Sequence, residues 1–116
     1  MDKSEIQFIL LPENIASICK DDNRDKICEF KRSILTDAFD SASNWYENLT
    51  PDICRSKTKK ELTKDLKKYI DTNGKFRTKP YGFVASVLWM MIAQAVIAWV
   101  IRKIIEYIIE HYIINH

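Results

Sequence analysis

Residues Lys79–Lys103 read KPYGFVASVLWMMIAQAVIAWVIRK, and the 21 residues from Tyr81 to Ile101 carry no charged side chain. As an α-helix rising 1.5 Å per residue they would extend about 31 Å, against a bilayer hydrocarbon core of about 30 Å. Helices buried in soluble domains are usually shorter or carry a polar stripe. Ser86 and Gln94 are the polar positions here, and neither makes a charged face. The stretch therefore predicts a transmembrane helix over 81–103, the competing reading being the central helix of a soluble bundle. Gly82, Ser86 and Ala93, with Gln94 beside them, would form a small-residue face able to pack against another helix in lipid.

The flanks give the expected orientation. Residues 55–79 hold 10 basic and 3 acidic side chains, residues 1–54 hold 6 and 11, and residues 80–116 hold 2 of each. Net charges of −5, +7 and zero along the chain suggest three physical roles. Positive charge is retained on the cytoplasmic side, so the N-terminus is expected inside and the C-terminus outside. Cys19, Cys28 and Cys54 form no CxxC pair and read as reduced thiols, in keeping with a cytosolic domain. The opening MDKSEIQFILLPEN lacks the basic n-region of a secretory signal.

Two glycines and three prolines in 116 residues favour helices over turn-rich β-structure. Phe8, Leu11, Ile15 and Ile18 recur at helical spacing with a break at Pro12, although IQFILL could also be a short strand. A longer helix is expected over about 23–48, with Ile27, Phe30, Ile34, Ala38, Ala42, Trp45 and Leu49 on one face. Thr50–Pro51–Asp52 restarts a helix. Thr58 and Glu61 form a capping box, and Asn73–Gly74 predicts a left-handed stop. Between them Leu62, Leu66, Tyr69 and Ile70 share one face, opposite a row of lysines. After the span, Ile104–Tyr112 reads as an amphipathic tail, with Arg102, Glu106 and Glu110 spaced to pair weakly.

The expected fold is all-α: a small N-terminal helical domain (1–72), a basic linker (73–80), one long C-terminal transmembrane helix (81–103) and an amphipathic extension (104–116). The basic block, Lys60, Lys64, Lys67, Lys68, Lys75, Arg77 and Lys79, is a candidate surface for anionic lipid, each charge contributing about 1 kcal/mol near a membrane. Nucleic acid is not favoured, because no reader motif is present and few aromatics interleave with the lysines. Trp45 and Tyr46 are a candidate partner surface, against the plainer reading that they close a core.

No catalytic, cofactor or metal motif emerges. His111 and His116 are five apart, where two ligands on one helix turn need four. No glycine-rich phosphate loop is present, and no histidine stands near a cysteine in sequence. The expected function is non-catalytic: a single-pass protein tethering a helical interaction domain to the cytoplasmic face of a membrane, with oligomerisation through the last helix. The alternatives are a small viral or phage membrane-active protein (a virion component or holin-like lysis factor) and a soluble subunit whose last helix is buried in a larger assembly.

Overall fold

The chain opens with backbone groups that need partners and short side chains that supply them. Asp2 accepts from the Ser4 amide at 2.9 Å, starting a 3-10 helix over Lys3–Leu10. With three residues per turn, side chains three apart align, so Ile6 and Ile9 are the pair that is fully buried. This displaces the expected Phe8–Leu11 face: Phe8 is half-buried and Leu11 is exposed. Five helices follow in this computed structural model, which describes residues 1–19, 25–74 and 86–114, apart from the side chains of Asp25, Ser86 and Ile114. They are α1 (Pro12–Cys19), α2 (Asp25–Glu47), α3 (Pro51–Ser56), α4 (Lys59–Asn73) and α5 (Ser86–Ile108), ending in a π-helical turn at Ile109–Ile114. No strand occurs among the described residues.

Local sequence accounts for most boundaries. Pro12 stands at the first position of α1, where its missing N–H is no loss. Thr50 accepts from the Ile53 amide at 3.2 Å with Pro51 at the first turn of α3. Thr58 and Glu61 make the reciprocal capping box of α4. The C-terminus of α4 differs from expectation. Gly74 is extended, with φ −67° and ψ 140°, and its amide still bonds the Ile70 carbonyl at 2.7 Å. The Asn73 side-chain amide adds a second donor to the Tyr69 carbonyl at 2.9 Å.

The core is built around α5, which packs on α2, α4 and the 3-10 helix. From α2 it receives Phe30, Ile34, Ala38, Ala42 and Trp45, the expected face widened by Leu35, Phe39 and Tyr46, with Leu49 just past the helix end and Ile27 only half-buried. From α4 come Leu62, Leu66 and Ile70. α5 itself contributes Ala93, Val96, Ile97, Val100, Ile101, Ile104, Ile105 and Ile108, a stripe stepping alternately by three and one. One continuous helix thus crosses the boundary expected at residue 103. Ile104, Ile105 and Ile108 are core residues rather than part of a separate tail.

The two ends of the chain meet in this body. The Met1 ammonium donates to the carbonyls of Tyr46 and Glu47 at the end of α2 and of Leu49 just beyond it, while the Tyr46 carbonyl also accepts from the Leu49 amide. Glu5 accepts from the hydroxyls of Tyr107 at 3.1 Å and Tyr112 at 2.7 Å. Residues expected on opposite sides of a bilayer therefore share one core. Tyr107 and Tyr112 thereby hold the last helix to the first.

Two of the three cysteines depart from the expected reduced state, while Cys54 is a free thiol. Cys19 closes α1, Cys28 lies in the first turn of α2, and the two form a disulfide across a Cα–Cα distance of 5.4 Å. Packing of α1 along α2 brings them within bridging range, a tertiary effect that their nine-residue spacing does not advertise. The Lys31 ammonium reinforces the same junction by donating to the Ile18 carbonyl at 2.9 Å. A bridge closing so short a loop is worth about 2–3 kcal/mol through the unfolded chain. Replacing both residues by serine should lower the unfolding free energy by that amount in guanidinium titrations, with no further loss on adding reductant.

Candidate membrane-docking surface

α5 divides into two halves with different surroundings. Val87–Ile113 is a helical stretch of 27 residues, apolar enough over part of its length to be the one candidate membrane span among the described residues. Only 39% of its most apolar window is buried, and the burial lies toward one end. Val87, Leu88, Met90 and Met91 are 72, 57, 42 and 66% exposed, whereas every fourth or third residue from Ala93 onward is enclosed. At the exposed end one side chain turns inward: Trp89 meets the Phe30 ring edge-on, with centroids 4.6 Å apart. Four neighbouring large apolar side chains facing water are unusual on a soluble surface, where scattered single ones are the rule.

The outward face changes character along the helix. It runs from Met91 through Ala95 and Ala98 to Arg102, Glu106 and Glu110. Arg102, Glu106 and Glu110 thus sit on the solvent side of a core helix. Lys103 turns back over the Trp99 ring at 5.9 Å. Among the described residues of α5, the six charge-free residues Val87–Ile92 precede the first buried position, Ala93. They rise about 9 Å, well short of a bilayer.

α4 packs against α5 and turns its lysines outward. Lys59, Lys60, Lys64, Lys67 and Lys68 are exposed, with Leu62, Leu66 and Ile70 fixing the opposite face in the core. Lys67 pairs with Asp71 at 3.2 Å, and Lys57 pairs with Asp65, so the positive field is partly offset along one edge of the helix. Lys75, Arg77, Lys79 and Gly82 lie outside the described residues, as does the side chain of Ser86.

Other candidates move inward. Ala93 is 1% exposed and packed in its own fold, so it offers no small-residue face to a second helix, while Gln94 is half-buried beside it. Trp45 and Tyr46 are both buried and form core rather than a partner surface. They occupy the α2 face toward the 3-10 helix and α5, where the Met1 ammonium also docks. Sequence reasoning missed the Glu5–Tyr107–Tyr112 cluster, whose members are more than 100 residues apart and carry no local signal.

Buried groups in this body are poor nucleophiles. Burial pushes the Cys54 thiol above its ordinary value, against weaker lowering from the N-terminal ammonium and Arg55. Burial likewise raises Tyr46, with smaller contributions from neighbouring Tyr112 and Glu5. Its hydroxyl has no partner of good hydrogen-bond geometry among the described residues. No cluster of metal-ligating side chains occurs among the described residues either. Comparison with known protein families, characterised proteins and solved structures finds no match to this chain.

The raised values fix a sign for alkaline behaviour. Folded Cys54 and Tyr46 keep their protons when the unfolded chain begins to lose them, near the ordinary values of 9.0 and 10.0. Their contribution is complete below pH 9 and declines as pH rises through that range. Stability measured from pH 8 to 11 should fall accordingly, and less steeply in the Cys54→Ala variant. Iodoacetamide should label Cys54 only after denaturation.

Proposed function

We propose that this protein is a non-catalytic helical module held on a membrane by the exposed apolar end of α5, with the basic face of α4 drawn to anionic lipid beside it. The observation that carries this reading is the exposure of Val87, Leu88, Met90 and Met91 on a helix whose other half is core. Apolar side chains moved from water into lipid each contribute about 1.5–3 kcal/mol. Adjacent lysines add about 1 kcal/mol each at an anionic surface. Neither signal alone gives firm attachment, and together they do.

In this packing the module enters one leaflet and both chain ends stay on the same side. The arrangement suggested by the flanking charges, N-terminus inside and C-terminus outside, belongs to a second state in which α5 has left the body. Reaching it means uncovering the apolar faces of α2 and α4. The Cys19–Cys28 bridge also removes the cysteine argument for a cytosolic location, since such bridges persist in oxidising compartments.

Flotation of the purified chain with phospholipid vesicles tests the attachment. The Leu88→Asp/Met91→Asp variant should lose vesicle binding by more than tenfold, with its thermal melt unchanged because both side chains are exposed. Wild-type protein that stays monodisperse in aqueous buffer and never floats with vesicles would remove the membrane from the proposal, leaving a protein partner to cover this surface.

A further inference from the structure

Between α4 and α5 runs an open groove of about 260 Å³, below the range of roughly 300–1,000 Å³ usual for compact small-molecule pockets. Its floor is aliphatic, with Ile97, Ile101 and Ile105 presenting their outer edges and Ala98 exposed at its margin. Its rim is cationic, formed by Lys59 and Lys67 from α4 and Arg102 from α5. Neither Lys59 nor Arg102 has an ion-pair partner among the described residues, and Lys67 is held by Asp71. Gln94 lines both this groove and the surface made by Val87, Met90 and Met91. The apolar end of α5 and the groove are therefore one track, about 27 Å from Val87 to Ile105 along the helix.

A narrow apolar channel with positive charge along its rim fits a linear chain with an anionic head. We infer that the α4–α5 groove, floored by Ile97, Ile101 and Ile105 and rimmed by Lys59, Lys67 and Arg102, holds one anionic phospholipid of the membrane to which the protein attaches. One acyl chain lies on the floor and the phosphate is shared by the rim. This rests on the attachment proposed above and deepens it, distinguishing a bound lipid from a diffuse attraction of lysines to a charged surface. Arg102 is suited to the phosphate because its planar fork makes paired hydrogen bonds, while Lys59 supplies a mobile point charge.

The test uses the full chain in mild detergent with phosphatidylglycerol, read by native mass spectrometry. One phosphatidylglycerol should be retained per chain, at least tenfold more than phosphatidylcholine at equal concentration. The Lys59→Gln/Arg102→Gln variant should lose retention by more than tenfold. The Lys60→Gln/Lys64→Gln variant removes equal charge from two lysines that do not line the groove and should stay within twofold of wild type. Ala98→Trp, which fills the groove from an exposed position, should abolish retention yet still float with vesicles. Equal loss in both glutamine variants, or full retention in Ala98→Trp, overturns the groove. Wild type that floats with vesicles but retains no lipid overturns the groove alone, and failure to float overturns the attachment with it.

Discussion

Everything in this fold depends on the packing of α5 between α2, α4 and the 3-10 helix. From Ala93 to Ile108 the helix gives eight apolar side chains to one core, and the partners that cover them are covered in return. Moving this half of α5 into lipid would leave its own side chains no worse off, because hydrocarbon suits them as well as protein does. The loss would fall on Ile34, Leu35, Leu62, Leu66 and Ile70, whose apolar faces would meet water. At about 1.5–3 kcal/mol for each such side chain, that penalty is comparable with the entire 5–15 kcal/mol stability of a typical domain. Spanning the bilayer and keeping this core are therefore alternatives.

That exclusivity explains how far the sequence could be read. The helical periods of α2 and α4, the capping box at Thr58 and the restart at Thr50–Pro51 were all legible, because each is set by residues within a turn or two. The apolar face of α2 was legible for the same reason. What a run such as VLWMMIAQAVIAWVI does not encode is the identity of its solvent. Transfer from water is favourable whether lipid or protein receives the side chain, so absence of charge marks both outcomes. The sign that separated them lay further on. The buried stripe continues past Ile101 through Ile104, Ile105 and Ile108, while Arg102, Glu106 and Glu110 share the opposite face. A strict apolar stripe carried beyond the charge-free window argues against the bilayer interior, which imposes no one-sided pattern, and is left to a protein neighbour or a membrane surface.

The remaining departures are tertiary. Glu5 finds Tyr107 and Tyr112 only because the 3-10 helix crosses the end of α5, and Cys19 reaches Cys28 only because α1 folds along α2. In both cases packing brought together groups whose sequence neighbourhoods carry no sign of each other. At Lys3–Leu10 three residues per turn set Ile6 and Ile9 directly in line, and both are fully buried.

The position of α4 gives the attachment its physical sense. Charges on a protein surface are felt over only about 8 Å at physiological ionic strength, so lysines far from the site of insertion would contribute little. Packed helices lie about 8–10 Å apart, and α4 packs directly on α5. Lys59 and Lys67 reach the α5 surface itself, at the groove that Gln94 joins to Val87, Met90 and Met91. In the proposed attachment, entry of the apolar end of α5 into the headgroup boundary would bring these cations within screening distance of the phosphates, so one docking movement would satisfy both terms. A basic face of the same charge on α1 or α2 would not be carried to the phosphates by the same insertion.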